Sequence, residues 1–180
     1  MDKKEIRNKK RKERETMSIK DAAYKSRIIN KKLSAIINSY NVIMFYISTK
    51  NEVRTHDLIK YYLKKNKKVI VPYIKDNKIF SSEITNFNDL ERGVFKILEP
   101  KIKKEFKGKI DLITVPGIGF DKYGNRIGRG LGYYDIFLKD INAEIIALAY
   151  DFQIVANIPS EEYDIKVNKI ITEKRIINCI

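Results

Sequence analysis

Continuous apolar runs are the clearest pattern in this chain, and polar or helically spaced segments separate them. Six runs predict strands, at residues 42–47, 69–74, 78–84, 111–115, 144–150 and 169–172. The runs at 42–47 and 144–150 are apolar at nearly every position, as is typical of strands that are buried on both faces. A turn at Asp76 and Asn77 joins the second and third strands.

Helical spacing between these runs predicts four helices. Residues 2–15 are strong helix formers with almost no apolar stripe, so we expect a basic helix there that packs only in part. Ser18 is a candidate N-cap for a second helix, with Asp21 at the third helical position. Its apolar face consists of Ile28, Ile29, Leu33, Ile36 and Ile37. A third helix is expected from about Thr55, its N-cap, to Lys65, and a fourth begins at Tyr133.

The alternation of strands and helices predicts an α/β fold with a largely parallel open sheet, as a single three-layer α/β/α domain over residues 1–180. Residues 87–91 predict a short helical turn, and residues 93–108 a connecting segment. Ligands of such sheets bind beyond the carboxyl ends of the strands. The loop of residues 48–53 and the loop after residue 115 both fall at such ends, so we expect the functional site there.

Glycines are concentrated in the second of these loops, within Val115–Asp135. This stretch holds six of the eight glycines of the chain, at positions 117, 119, 124, 128, 130 and 132. Glycine occurs where the backbone needs a positive φ or where a ligand approaches it closely. The order is strand, glycine loop, helix, which directs the free amides of the first helical turn toward the loop and favours a bound phosphate.

Arg126 and Arg129 add two fixed positive charges to this glycine loop, and their planar guanidinium groups suit phosphate or carboxylate oxygens. The loop has neither the Gly-Lys-Ser/Thr of a Walker A loop nor the glycine spacing of a Rossmann site. Anion binding is the favoured interpretation, and a mobile surface turn is the alternative.

Composition is that of a soluble globular protein, with 43% apolar and 33% charged residues among 180. The apolar runs are far shorter than the roughly 20 residues of a membrane span, and the charged start argues against a secretory signal peptide. The single cysteine, Cys179, argues against a disulfide framework and fits a reducing cytoplasm. We therefore expect a cytoplasmic protein without a membrane partner.

Positive charge is concentrated at the start of the chain. The formal net charge is +14, and residues 1–32 contain 13 lysines or arginines against five acidic residues. Such an excess fits a nucleic-acid-binding arm, a solvated helix face, or part of a site for a polyanionic small molecule, and composition does not choose between them.

The run Pro116–Asp135, PGIGFDKYGNRIGRGLGYYD, resembles the signature of the 5-formyltetrahydrofolate cyclo-ligase family, also called methenyltetrahydrofolate synthetases. Further segments occur in the order typical of that family. They are KKEIR at residues 3–7, NEVRT at 51–55, GVFKILEP at 93–100, ALAY at 147–150 and DIKV at 164–167.

The resemblance implies an enzyme that converts 5-formyltetrahydrofolate to 5,10-methenyltetrahydrofolate, with ATP as co-substrate, Mg²⁺ as cofactor, and ADP and phosphate as products. In this family the formyl oxygen is thought to be phosphorylated before N10 closes the ring. The partners implied are ATP and a reduced folate, with or without a polyglutamate tail, and we expect a monomer. A reaction of this kind needs phosphate-binding groups, a metal and two aligned substrates rather than a nucleophilic side chain.

The resemblance also implies roles for individual residues. The ATP-binding set is Lys3, Lys4, Arg7, Arg126, Ile127, Gly128, Arg129, Gly130, Leu131, Gly132, Tyr133 and Tyr134. The folate-binding set is Arg7, Ile47, Glu52, Arg129, Gly130, Leu131, Gly132 and Tyr133. Arg129, Tyr133 and Asp135 are the expected catalytic residues, and Asp135 and Asp164 the expected Mg²⁺ ligands.

Two positions depart from the family pattern. Leu131 stands where the family usually has Gly or Lys, and Asn168 stands where an Asp is common, so a third carboxylate near the metal would be absent. His56 is expected to be a surface residue rather than a catalytic base.

Two alternatives stay open at this stage. The first is a small basic nucleic-acid-binding protein, although no nucleic-acid motif is recognisable in the sequence. The second keeps the fold but changes the substrate to another amide that ATP activates.

Overall fold

The computed structural model describes residues 2–180, apart from the side chain of Val94. It contains four α-helices: α1 (Lys3–Glu15), α2 (Ile19–Ile37), α3 (His56–Lys64) and α4 (Tyr133–Leu138). Ser18 caps α2 by accepting a hydrogen bond from the Asp21 amide, as predicted. Thr55 precedes α3, but its hydroxyl donates to the Tyr46 carbonyl instead of capping the helix.

A seven-stranded sheet forms the centre of the fold. Its strands are β1 (Val42–Met44), β2 (Lys68–Lys75), β3 (Lys78–Ile84), β6 (Leu112–Val115), β9 (Glu144–Leu148), β11 (Lys169–Ile171) and β12 (Ile176–Asn178), in the spatial order β12-β11-β9-β6-β1-β2-β3. Five strands run parallel, and the edge strands β3 and β12 are antiparallel. This confirms the predicted α/β class with a largely parallel sheet.

Alternate strand residues pack on opposite faces of the sheet. Ile43 and Phe45 join α2 and α3 in one apolar cluster, whereas Met44 packs with Leu138 of α4 in another. The sheet therefore lies between two helical layers, as the period of the strands requires. Ile6 of α1 is buried in a third, small cluster, which agrees with a helix that packs only in part.

The sequence predicted the order strand, glycine loop, helix, and the structure shows further strands within that loop. It contains a hairpin of β7 (Gly119–Asp121) and β8 (Arg126–Ile127), and β7 also pairs with β10 (Ile154–Val155). The buried Asp121 carboxylate closes this hairpin by accepting from the amides of Tyr123 and Asn125. The carboxylate satisfies the turn locally, and a pattern of apolar runs does not reveal such a bond.

Three other segments also differ from the prediction. The expected helical turn at 87–91 is a 3-10 turn at Phe87–Asp89 followed by β4 (Leu90–Arg92). The expected connecting segment 93–108 contains β5 (Leu98–Pro100), which pairs with β4. The last strand was expected at 169–172, but the short strand β12 follows it at the edge of the sheet. Charged residues interrupt the apolar positions of β4 and β5, so neither gives the continuous apolar run that marks the equally short β1.

Candidate functional site

A cavity of about 340 Å³ lies at the carboxyl ends of β1 and β6. Its wall comes from α1, the loop after β1, the glycine loop, and the β2–β3 hairpin with the segment before β5. The cavity therefore lies beyond the carboxyl ends of strands, where the sequence analysis expected the functional site. Its lining brings together Lys3, Arg7, Glu52 and residues 126–135.

Hydrogen bonds from two buried tyrosines hold the loop after β1 in place. The hydroxyl of Tyr46 donates to the carbonyl of Val53 at 2.7 Å, and that of Tyr150 donates to the carbonyl of Glu52 at 3.0 Å. The Glu52 side chain accepts from the amide of Thr49 at 2.9 Å and is only 8% exposed. A largely buried carboxylate is thus held at the cavity wall.

Arg129 brings the glycine loop to this carboxylate. Its Nη2 lies 3.2 Å from Glu52 Oε1 and donates to the hydroxyl of Thr49 at the same distance. The arginine side chain is 48% exposed, whereas the glutamate side chain is 9% exposed. This contact connects two loops that the sequence predicted only to lie at the same edge of the sheet.

Arg126 forms the second ion pair of the cavity. Its Nη2 donates to Asp135 Oδ1 at 2.6 Å, and its guanidinium lies 5.6 Å from the ring centre of Tyr134. The side chain of Arg126 is only 4% exposed. Asp135 also accepts from the amide of Ile165 at 3.2 Å, so the carboxylate fixes both the arginine and the segment that follows Asp164.

Helix α1 supplies the basic wall. Lys3 Nζ lies 2.6 Å from Asp164 Oδ2, and Arg7 Nε donates to the carbonyl of Gly128 at 3.0 Å. Lys4 is exposed and lies outside the cavity lining. Burial alone would raise the pKa of Asp164, but the hydrogen bonds from Lys3 and from the Glu161 amide lower it below its ordinary value. Asp164 is therefore a carboxylate that the protein keeps ionised.

Two glycines that line the cavity have a positive φ, a backbone conformation that favours glycine. Gly130 has φ +96°, and an added Cβ would lie 3.7 Å from the Arg7 guanidinium carbon. Gly132 has φ +66° and directly precedes α4, which is six residues long. Leu131 lies between them and is 54% exposed, so this departure from the family pattern places an apolar side chain at the cavity rim.

Tyr134 belongs both to the cavity and to the core. It packs against the two main apolar clusters, and burial raises the pKa of its phenol, with Glu52 raising it further and the two arginines of the glycine loop lowering it. Tyr133 is half-buried at the cavity wall, and Ile47 and Ile127 are buried there.

The candidate metal ligands, Asp135 and Asp164, both line the cavity. No group of three His, Cys, Asp or Glu side chains among residues 2–180 could hold a metal by itself. A pair of carboxylates nevertheless fits Mg²⁺, which binds through one or two carboxylates and takes its other ligands from water and phosphate. Each aspartate forms an ion pair, Asp164 with Lys3 and Asp135 with Arg126, so the negative charge of both carboxylates is balanced within the protein.

Two of the singled-out residues lie outside the cavity lining. Asn168 accepts a hydrogen bond from the amide of Ile145 at the amino end of β9, so it does not stand where a third metal ligand would be needed. His56 is half-buried rather than a surface residue, with Nε2 lying 3.1 Å from the carbonyl of Ser48. Burial lowers the pKa of its imidazole.

Sequence reasoning missed the apolar end of the cavity and one buried cation. Tyr73, Ile79, Phe95 and Ile97 line the apolar end, and Phe95 is 56% exposed with φ +56°. Nothing in the local pattern of these residues indicates a ligand. Arg14 also lines the cavity, and its seven-residue spacing from Arg7 on a helix could have revealed it.

No helix within residues 2–180 combines the length and the apolar character that crossing a bilayer requires.

Comparisons with known proteins identify the family of the chain. The 5-formyltetrahydrofolate cyclo-ligase family model matches residues 1–173. A 5-formyltetrahydrofolate cyclo-ligase of Mus musculus is 34% identical over 147 residues, covering 73% of this chain and 72% of that protein. The enzyme of that name from Escherichia coli K12 is 27% identical, covering 78% and 82%.

Solved structures give the same result. The 5,10-methenyltetrahydrofolate synthetase of Aquifex aeolicus superposes with a TM-score of 0.89 at 30% identity, covering 99% of this chain and 93% of that one. A synthetase of the same name from Mycoplasma pneumoniae, at 24% identity and a TM-score of 0.79, shares the fold. The chain belongs to the 5-formyltetrahydrofolate cyclo-ligase family of enzymes.

Proposed function

We propose that this protein converts 5-formyltetrahydrofolate to 5,10-methenyltetrahydrofolate with ATP and Mg²⁺. The observation that carries the proposal is the Arg129–Glu52 contact, which places a phosphate-binding group of the glycine loop beside a buried carboxylate in one cavity. Family membership supplies the reaction class.

The proposed chemistry needs two bound substrates and no protein nucleophile. The formyl oxygen attacks the γ-phosphorus of ATP, the bond from that phosphorus to the β–γ bridging oxygen breaks, and ADP leaves. N10 then attacks the activated formyl carbon and loses its proton, and the carbon–oxygen bond breaks to release phosphate. Charge moves between phosphate oxygens in both steps, so fixed positive groups and alignment provide the catalysis.

The basic wall and the glycine loop form the proposed ATP site. Lys3 and Arg7 on α1 line the cavity together with Arg126 and Arg129, and the glycines let the loop backbone approach the phosphates. We assign residues 126–134, Lys3 and Arg7 to ATP, with Lys4 reaching it only from the outer surface of α1. Arg129, Tyr133 and Asp135 are the proposed catalytic residues because all three line the cavity, in the glycine loop and at the start of α4.

Asp135 and Asp164 are the proposed Mg²⁺ ligands. Mg²⁺ held by these two carboxylates would offset the negative charge that develops on the phosphate during the reaction. Within the protein, Lys3 and Arg126 hold these carboxylates now, and the same two basic groups are available to the phosphates once the carboxylates take the metal.

Glu52 and the apolar end of the cavity form the proposed folate site. Glu52 accepts hydrogen bonds from the amino and ring N–H groups of the pterin, next to Ile47, and Arg7, Arg129 to Gly132 and Tyr133 border it. The exposed Lys75, Lys78 and Lys96 flank lining residues of the apolar end, so a polyglutamate tail leaving there would meet positive charge.

We further propose that the chain acts as one cytoplasmic domain and as a monomer, with α1 forming one wall of the site. The N-terminal positive charge serves this cavity, since Lys3, Arg7 and Arg14 all line it, and a nucleic-acid-binding role is not needed to account for them.

The test is spectrophotometric. Incubation with 5-formyltetrahydrofolate, ATP and Mg²⁺ should produce the ultraviolet band of the methenyl product, and omission of any one component should abolish it. Correctly folded protein that gives no product would contradict the proposal. ADP formation with a different formamide but not with this folate would instead identify another amide as the substrate.

A further inference from the structure

Arg14 is a buried cation in the cavity wall, and the roles assigned so far do not use it. The residue is 9% exposed and lines the cavity together with Arg7. The two arginines are seven residues apart on α1, so they project from one face, about 10 Å apart along the helix axis. Arg14 therefore lies about two helical turns beyond Arg7, on the same face of α1.

The positive charge of Arg14 has little compensation from the protein. Its Nη1 donates to the carbonyl of Gly117 at 3.2 Å, while its Nε is buried without a hydrogen-bond partner among residues 2–180. Arg126 and Arg129 have carboxylate partners, but Arg14 forms no ion pair with any described residue. Burying an unpaired cation is costly, so the matching acceptor is expected to arrive with a ligand.

The neighbouring carboxylate indicates which acceptor this is. Glu52 lines the same cavity, and both charges act on the buried Tyr46: burial raises the pKa of its phenol, Glu52 raises it further, and Arg14 lowers it. A pterin presents a 2-amino group, an N3–H and a 4-oxo group in order along one edge. A carboxylate takes the two donors, and the oxygen that follows them needs a donor beside that carboxylate.

We propose that Arg14 is a specificity-determining residue that donates a hydrogen bond to the 4-oxo group of the bound folate, next to Glu52. This inference rests on the proposed function and adds a recognition element to it. The Gly117 carbonyl orients the guanidinium, and the cation has no lone pair with which to accept a hydrogen bond. A 4-amino pteridine offers a donor at that position and has no N3–H, so the contacts of both Arg14 and Glu52 are lost and the cavity rejects it.

The test compares two ligands on one protein. The equilibrium dissociation constants of 5-formyltetrahydrofolate and of its 4-amino-4-deoxy analogue are measured by calorimetry in the absence of ATP. The wild-type protein is expected to prefer the 4-oxo ligand by at least about tenfold, because a hydrogen bond to a charged group is lost with the analogue. Equal affinities for the two ligands would overturn the inference without any variant.

Variants assign the preference to Arg14. In Arg14→Met the preference should fall by about fivefold or more, leaving only the part that the missing N3–H opposite Glu52 contributes. Arg14→Lys, which keeps a donor and a charge, should restore part of the lost preference. Arg11→Met is the matched control, because Arg11 lies on the same helix with a side chain that is 57% exposed. The control should keep the wild-type preference.

The ratio of the two affinities does not depend on the fraction of the protein that is folded. If Arg14 had only a structural role, its replacement would therefore lower the fraction of protein that binds ligand and leave the ratio unchanged. A wild-type ratio in Arg14→Met, or in Arg14→Lys if the methionine variant does not fold, would overturn the inference. Failure of the proposed function is distinguishable, because a folded wild-type protein would then bind neither ligand.

Discussion

Arg129 and Glu52 are 77 residues apart in sequence, and their side chains lie 3.2 Å apart at the wall of the cavity. The arginine is proposed to bind ATP phosphates and the glutamate to bind the pterin, so each is the other's partner only while the site is empty. Both substrates must break the same ion pair, and whichever binds first releases a group that the second needs.

Binding of the two substrates is therefore expected to be cooperative. A non-hydrolysable ATP analogue with Mg²⁺ should tighten 5-formyltetrahydrofolate binding by about fivefold or more, with the same factor in the reverse direction, as thermodynamic linkage requires. In Arg129→Ala this cooperativity factor should fall to about one, and the concentration of ATP or folate that gives half the maximal rate should rise. The thermal unfolding temperature should stay within a few degrees of the wild-type value. Calorimetric titrations with and without the second ligand give both factors. Cooperativity that survives in Arg129→Ala would exclude the shared ion pair as its cause.

Replacement of Asp135 by Asn should weaken the dependence of activity on Mg²⁺. The variant loses a negative ligand and also leaves the largely buried Arg126 without its carboxylate, so we expect the Mg²⁺ concentration for half-maximal rate to rise by about tenfold or more. Asp140→Asn is the control, because Asp140 is exposed just beyond α4. The same Mg²⁺ curve for Asp135→Asn and for wild type would remove Asp135 from the metal site.

Stability at alkaline pH should depend on Tyr40. The Tyr40 hydroxyl donates to the Glu144 carboxylate, and this bond, with burial and the nearby negative charges, raises the pKa of Tyr40 from 10.0 to about 12. A group with a raised pKa stabilises the fold fully below its unfolded pKa, and that contribution disappears as the pH rises through the folded value. Between pH 10 and pH 12 the wild type should lose more unfolding free energy than Tyr40→Phe.

Urea denaturation across that pH range measures the difference. Tyr24→Phe is the control, since Tyr24 is 59% exposed. Parallel pH profiles for wild type and Tyr40→Phe would show that the Glu144 contact does not shift the titration of Tyr40.

Two glycines with similar backbone angles should differ in their tolerance of alanine. Gly124 has φ +84°, and a Cβ there would lie 2.5 Å from the carbonyl oxygen of Val167, whereas Gly132 has φ +66° and open space around it. Gly132→Ala should cost only the backbone strain of about 1–2 kcal/mol, and Gly124→Ala should cost clearly more because a clash with backbone is added. Urea denaturation gives both values, and equal losses would contradict this account.

The sequence determined the fold class because apolar periodicity reports burial directly. The continuous runs at 42–47 and 144–150 contain β1 and β9 in the middle of a parallel sheet, and Ser18 caps α2. The glycine-rich run and its arginines also identified one side of the cavity, because the properties of glycine and arginine indicate anion binding without knowledge of distant contacts. The strands β4 and β5 were not predicted because charged residues interrupt their apolar positions, whereas β1, which is equally short, lies within the continuous run at 42–47. The edge strand β12 was not predicted either.

Only the tertiary structure decided which charges meet. The contacts of Arg129 with Glu52, Lys3 with Asp164 and Arg14 with Gly117 join residues 77, 161 and 103 positions apart. No local pattern specifies such pairs, because they depend on how the helix α1 and the two loops are placed around one edge of the sheet. Burial likewise distinguishes Arg14 from Arg11, which is exposed on the same helix. This difference arises from packing between elements that are distant in sequence.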